Sequence, residues 1–495
     1  MNPGRVSQVL HMIGGKEVPS ASGRTFVSVN PATTEAVAEV AEGDEEDIDR
    51  AVQAAYQAFT AGPWPSLPPR ERGRLLLKMS HLITEHSEDL ARLDTLDIGK
   101  PISYTKGRDI PGSARIFEFF SGVRDKFAGS VYSGESGYHS YTIREPYGVV
   151  GIITPWNSPF LSASAKIAPA IAAGNTIVIK MAEQSPLSVL ELSRLCLAAG
   201  IPEGVVNVVH GYGPTAGAAL VRHPLVGKIV FTGSTSVGKE VLKSAGEQVK
   251  PVSLELGGKS ANIIFADADL DQALEGSVFT AFYNTGQICT SGSRLLVQAS
   301  VADKILDTLT RQARALKIGD PFEEATQLGP LVSAEQLDRV TNYIRLGIEQ
   351  GARLALGGEK PSVPDPLSSG YFISPAIFLD VAPQMRIAQE EIFGPILSVL
   401  PFQDVHEAMR IANSVVYGLA ASVWTNDLRK AFALAEALDS GTVWVNTVNY
   451  RDNAVPWSGR KESGFGEEMG ADAMRTYTKL KTVYIKYGVT RPTLW

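Results

Sequence analysis

The chain reads as an α/β protein built on parallel sheets, with more than one core. Three observations predict this. Short apolar runs alternate with helical patterns over about 110 residues from Gly148. A second series of the same kind starts at Ser260. At 495 residues the chain is also too long for one ordinary core.

Composition narrows the function classes. With 44% hydrophobic and 20% charged residues there is enough apolar content for packed cores, so wholesale disorder is excluded. A net charge of −7 provides no basic footprint for nucleic acid or an acidic membrane surface. Two cysteines exclude a disulfide scaffold, and without paired His or Cys neighbours they form no metal-site pattern. The first residues carry no long apolar segment, and no run approaches a membrane span. The expected location is therefore cytoplasmic, where thiols stay reduced.

In chain order, short strands and turns occupy residues 1–40. A helix follows at about 45–60, its acidic start (Asp44, Glu45, Glu46, Asp47) read as solvated and its apolar stripe as Ile48, Val52, Ala55 and Phe59. One long helix is expected from about Pro69 to Ile98, and another helical pattern at 113–129. Ser130–Pro146, rich in Tyr, Ser and Thr, reads as an extended arm. Strands follow at 149–153 and 175–180, with a small-residue helix between them closed by Gly174. The next helix is expected to use Ser185 as N-cap, Pro186 as its first residue and Gly200 after its end. Strands at VVNVVHG, KIVFTG and PVSLELGG complete the first series. The second has strands at 260–265, 294–298, 371–379, 396–402 and 442–446. Its helices fall at 270–283, 301–315, 333–350, 404–414 and 427–438, and an alternating strand runs from about Tyr477.

Ligands of parallel sheets bind at the carboxyl ends of strands, which here carry Thr154–Asn157, Lys180–Glu183, Gly211, Gly233–Ser236 and Glu255–Gly258. FTGSTSVGK (231–239) places Gly233 and Ser234 between a strand and a helix start, where a pyrophosphate can approach the backbone; a plain strand-to-helix turn is the alternative. Glu255 ends an apolar strand before two glycines, a place for a general base or for a simple capping carboxylate. Asn157 starts a helix, either as an oxyanion donor or as an ordinary cap. Cys289 sits in FYNTGQICTSGSR among small polar residues, unlike a packing cysteine. Cys196 lies among leucines and alanines and reads as a buried, inert thiol. From these residues alone a Cys–His hydrolase stays open.

Seven segments taken together (PWNSPF, KMAEQSP, FTGSTSVGK, LELGGKS, GQICTSGSR, EEIFGP and SGRKESGFGEE) resemble the NAD(P)-dependent aldehyde dehydrogenase superfamily, in family order along almost the whole chain. The resemblance implies an aldehyde dehydrogenase-like α/β fold. A Rossmann-type parallel-sheet NAD-binding domain would span 1–124 and 147–258, and a second α/β catalytic domain 259–458. A small β bridging or oligomerisation arm would comprise 125–146 and 475–495 and make a homodimer or homotetramer.

It also implies an NAD-dependent enzyme that oxidises an aldehyde to a carboxylic acid. Cys289 would be the nucleophile, passing through a thiohemiacetal and a thioester. Asn157 with the Cys289 N–H would hold the oxyanion, and Glu255 would activate the hydrolytic water. Lys166 and Glu468 match positions linked to the active site or a proton relay. Cofactor contacts fall on Ile153, Thr154, Pro155, Trp156, Lys180, Glu183, Gly213, Gly233, Ser234, Leu256, Glu391 and Phe393. Glu183 would repel a 2′-phosphate, so NAD is expected and NADP disfavoured. Met181 stands where relatives usually have proline.

The substrate positions are Ser158, Ser162, Ala165, Tyr283, Ile288, Thr290, Arg451 and Trp457. Ser158 and Ala165 are small where relatives acting on small or cationic aldehydes are aromatic. A quaternary-ammonium cage is therefore incomplete, and a bulky or aromatic aldehyde is favoured. Arg451 meeting the carboxylate of a semialdehyde is the alternative, against a surface or subunit contact. No metal site and no nucleic-acid or membrane partner is expected. A Cys-dependent hydrolase or acyl transferase without redox chemistry, or a non-catalytic dinucleotide-binding relative, are the readings from other classes.

Overall fold

A computed structural model describes residues 7–123 and 126–488. The expected arm's Asp125 and residues 489–495, and residues 1–6 and 124 of the expected cofactor domain, lie outside the described residues.

Two large sheets organise the chain. Across the first, the strands run Gly464–Phe465, Val252–Glu255, Val226–Thr232, Val149–Ile153, Thr176–Lys180, Val206–Val208, His11–Ile13 and Lys16–Val18. Its five middle strands are parallel. From Val149–Ile153 the chain builds outward through 176–180 and 206–208, then crosses back to place Val226–Thr232 on the opposite side. That reversal opens a crevice at the carboxyl ends of Val149–Ile153 and Val226–Thr232, where such sheets bind ligands.

The second sheet runs Arg353–Leu356, Ala376–Leu379, Ile396–Phe402, Arg294–Gln298, Ala261–Ile264, Ala420–Trp424 and Thr442–Val445, with only the first strand antiparallel. The two sheets face the crevice with opposite ends. Glu255 closes a strand of the first, and Cys289 and Phe393 precede the strands starting at Arg294 and Ile396 of the second. A third, antiparallel sheet joins Val131–Tyr132, Tyr138–Pro146 and Thr478–Lys486. Buried Asn175 ties it to the first sheet, accepting from Tyr147 and Gly148 N–H groups at 2.8 and 3.2 Å and donating to the Tyr477 carbonyl at 2.9 Å.

Most helices form where periodicity and end signals place them. Pro159–Ala173 and Leu187–Ala199 both end at glycines in the left-handed region, Gly174 (φ 92°) and Gly200 (φ 95°). Four expectations need correction. The helix expected over 69–98 is two, Pro69–Glu85 and Ser87–Ile98, because His86 leaves helical geometry (φ −95°, ψ 15°). Asp47 is not solvated: it is fully buried, its carboxylate accepting from Ser20 Oγ (3.1 Å) and Ala21 N–H (3.0 Å). The helix after Ser185 begins one residue late with Pro186 as cap, and the Leu187 N–H donates to Asp97 from a distant helix (2.9 Å). Strand 371–379 forms only over Ala376–Leu379, while Ala420–Trp424, unforeseen, lies inside the second sheet. No helix among the described residues is long and apolar enough to cross a membrane.

Candidate active site

A cavity of about 1030 Å³ lies where the two sheets face each other. It is walled by Cys289, Glu255, Asn157, Lys166 and Glu468, by Pro155, Trp156, Gly233, Ser234, Leu256, Glu391 and Phe393, and by Ser158, Ser162, Ala165, Tyr283, Ile288, Thr290, Arg451 and Trp457. Ile153, Thr154, Lys180, Glu183 and Gly213 are not part of that wall. They lie on or beside the carboxyl ends of the first sheet's strands, except Gly213, which opens the exposed turn before helix Ala218–Arg222.

The segment before Cys289 is held in a costly conformation. Asn284, Thr285 and Gly286 are all left-handed (φ 51°, 55° and 71°), and for β-branched Thr285 this is an outlier. Its neighbours hold it there. Thr285 Oγ1 donates to the Gly329 carbonyl (3.0 Å), and the Gln287 amide donates to the Asn284 and Pro330 carbonyls and accepts the Val332 N–H. A Cβ at position 286 would overlap the Gly394 carbonyl, so this turn requires glycine.

Asn157 Nδ2 donates to the Gln287 carbonyl at 2.9 Å, coupling the segment after strand Val149–Ile153 to the cysteine loop. The amide carries two N–H groups, so one remains for a ligand. Asn157 is not the helix cap; Ser158 occupies that position. Cys289 is half-buried. Burial pushes its thiol up to about 11; the Arg451 charge opposes this, and Glu391 and Glu255 add to it. Cys196 is buried and pushed up to about 12.

Glu255 is buried and holds one hydrogen bond, from Trp457 Nε1 to Oε2 at 3.1 Å; Oε1 has no partner. Burial raises its carboxyl well above the ordinary value and the Glu468 charge adds to this. Lys166, Arg451 and the Trp457 bond oppose the shift. Trp457 also pairs with Glu468 through both backbone hydrogen bonds, at 2.6 and 2.8 Å. Glu468 in turn meets Lys166 at 2.7 Å. Arg451 stacks on the same indole, its guanidinium carbon 3.9 Å from the ring centre.

On the first sheet's side, Ser234 caps helix Thr235–Gly246, accepting the Val237 N–H. The hydroxyls of Thr154 and Thr232, each at or just past a strand's carboxyl end, are buried with no partner. Lys180 pairs with Glu183 at 3.2 Å. Across the cavity Glu391 accepts the Gly258 N–H (3.0 Å), and Phe393 meets Trp156 edge-on with centroids 5.2 Å apart. Gln336 and Arg339 fix this loop by donating to the Ile392 carbonyl, Gln336 also to that of Phe393.

Sequence reasoning missed Thr232, Arg108, Arg115 and Asn449, all on the cavity wall. Thr232 had a signal, as the last residue of a ligand-end strand. The other three had none.

A cysteine loop, a buried carboxylate and a switch-point crevice meet around one cavity of an α/β fold, the place where such folds bind ligands. The model of the aldehyde dehydrogenase family matches residues 18–483, and the chain belongs to that family. It is 46% identical to aldehyde dehydrogenase family 2 member B4, mitochondrial, of Arabidopsis thaliana over 487 residues, 98% of this chain and 89% of that protein. It is 45% identical to the mitochondrial benzaldehyde dehydrogenase of Antirrhinum majus over 475 residues, 95% and 88% of the two chains. Its fold matches the NAD+ complex of an aldehyde dehydrogenase from Bacillus cereus with a TM-score of 0.95, 44% identity and 97% of each chain covered.

Proposed function

We propose that the chain oxidises an aldehyde to a carboxylic acid with NAD as hydride acceptor, through a covalent intermediate on Cys289. The observation that carries this reading is the convergence of Cys289, Asn157 and Glu255 on one cavity that opens onto the first sheet's switch-point crevice.

The first sheet's residues fit a dinucleotide. The unpartnered Thr154 and Thr232 hydroxyls need acceptors or donors that the protein does not supply. Gly233, where a Cβ would overlap the Phe231 ring, leaves the backbone open beside the helix start. Lys180 and Glu183 would hold the adenosine ribose, Gly233 and Ser234 the pyrophosphate, and Glu391 and Phe393 the nicotinamide side, with Ile153, Pro155, Trp156, Gly213 and Leu256 around them. The Glu183 carboxylate disfavours the extra phosphate of NADP. Bound NAD supplies the hydride acceptor.

Cys289 gives its proton to water in the cavity, and the resulting thiolate attacks the aldehyde carbon. The free N–H of the Asn157 amide and the Cys289 backbone N–H receive the developing oxyanion. After hydride departure the acyl group remains on sulfur as a thioester. Glu255 takes a proton from water, the hydroxide adds to the thioester carbonyl, and the Cys289 thiolate leaves. Glu468, paired with Lys166 at 2.7 Å and close enough to Glu255 for its charge to act on it, is the group that would receive that proton.

Tyr283 and Trp457 wall a space left open by Ser158 and Ala165, which favours a bulky or aromatic aldehyde. Arg451, placed in the cavity wall, supports the semialdehyde alternative. The third sheet exposes Val131, Tyr132, Leu480, Tyr484 and Ile485, consistent with a homo-oligomer contact. A catalytic thiol fits a reducing, cytoplasmic compartment. The test is a panel of aldehydes with NAD and NADP, followed by NADH absorbance. NADH formation that disappears in Cys289→Ser supports the reading; ester cleavage indifferent to NAD, with no NADH from any aldehyde, favours a hydrolase.

A further inference from the structure

Four arginines stand on the cavity wall; Arg339 is taken up by the Ile392 carbonyl, and among the described residues Arg108, Arg115 and Arg451 pair with no carboxylate. Four carboxylates share that wall outside the Glu255–Glu468 pair, and each has another partner. Glu462 pairs with Lys239 at 2.7 Å and Glu391 accepts the Gly258 N–H at 3.0 Å. Asp109 is ion-paired with Lys100, which is fully buried and also donates to Ser158 Oγ at 2.9 Å. Asp452 caps its own turn through the Ala454 N–H at 2.9 Å. None of these carboxylates lies within ion-pair distance of Arg108, Arg115 or Arg451 among the described residues, so the three guanidiniums lack a direct anionic partner.

Arg108 and Arg451 are held on one piece of structure. Arg108 donates to the Asn449 carbonyl at 2.6 Å, two residues before Arg451, and lies over the Tyr283 ring at 5.2 Å. Asn449 is buried and left-handed (φ 53°), and its side chain accepts from Thr290 Oγ1 at 2.8 Å, one residue past Cys289. The loop carrying Arg451 is thus pinned both to Arg108 and to the nucleophile's own segment. Arg451 rests on Trp457, whose N–H holds Glu255. Stacking on an indole leaves the edge of a guanidinium, with its N–H groups, available to a planar anion.

We infer that the substrate is an aldehyde bearing a carboxylate at the end away from its carbonyl, and that Arg451 and Arg108 bind that carboxylate while Arg115 adds positive charge at the wall. This rests on the dehydrogenase reading and chooses within it. A carboxylate supplies the bidentate partner these guanidiniums lack. The same charges disfavour a quaternary-ammonium aldehyde, whatever aromatic surface remains.

The experiment compares matched pairs on the full-length protein with NAD: glutaric semialdehyde against pentanal, and para-formylbenzoate against benzaldehyde. In the unmodified enzyme kcat/KM for the anionic member should exceed that of its neutral partner by roughly tenfold to a hundredfold, the worth of a charge-assisted bond. The excess should shrink as salt rises. Arg451→Met should bring the ratio toward one, Arg451→Lys should keep part of it, and Arg108→Met should lower it independently. The ratio is taken within one protein preparation, so a loss of active fraction cancels. Ratios at or below one in the unmodified enzyme, or ratios unchanged in both methionine variants, overturn the inference while the neutral aldehydes still report dehydrogenase activity. No NADH from any of the four overturns the dehydrogenase reading and this one with it.

Discussion

Trp457 donates its indole N–H to Glu255 Oε2 at 3.1 Å, and Glu255 Oε1 is buried with no hydrogen-bond partner. One bond is too little to keep a buried carboxylate at its ordinary acidity, so the group is held poised to take a proton. The same tryptophan meets Glu468 through its backbone and Arg451 through its ring, making it the centre of the charged cluster.

Trp457→Phe keeps an aromatic ring and removes the N–H. That bond lowers the Glu255 carboxyl, so its loss raises it further. The acid limb of the kcat–pH profile should move to more alkaline pH, with kcat at neutral pH falling. A profile that stays in place would remove Glu255 from the rate-limiting proton transfer.

Thiol reactivity gives a second prediction. With its thiol pushed up to about 11, Cys289 in the NAD-free protein should be alkylated by iodoacetamide faster as pH rises through neutral into the alkaline range. Cys196, buried and pushed up to about 12, should stay unmodified while the protein is folded. Because the Arg451 charge lowers the Cys289 thiol, Arg451→Met should slow alkylation at a fixed pH below 11. Peptide mapping over a pH series reads all three effects.

The proposed preference for NAD rests on Glu183, 3.2 Å from Lys180. Glu183→Gln removes the negative charge that opposes a 2′-phosphate, and the ratio of kcat/KM for NAD over NADP should narrow by roughly tenfold, worth ~1.4 kcal/mol. An unchanged ratio would place the discrimination elsewhere.

Much of this was legible in the residues because the first series is periodic and well punctuated. Gly174 and Gly200 close helices as their positions imply, and apolar runs such as VVGII and TIVIK are strands. Ala420–Trp424 escaped because AASVW is small and only weakly β-forming; burial inside the second sheet, between two parallel neighbours, makes it a strand. Asp47 looked solvated because its partners, Ser20 and Ala21, come from another turn of the chain. The catalytic candidates sat in recognisable segments. Arg108 did not: it lies in a π-helical turn, Thr105–Asp109, and is held at the cavity by the Tyr283 ring and by the Asn449 carbonyl, more than 300 positions away in sequence.

The central claim is that Cys289 carries the acyl group and Glu255 releases it. Its most direct test is intact-mass analysis of Glu255→Gln after rapid mixing with NAD and an oxidisable aldehyde. The division of roles predicts about one NADH per active site, stalled turnover, and a mass gain equal to the acyl group that maps to Cys289. Unimpaired steady turnover with no adduct would contradict it.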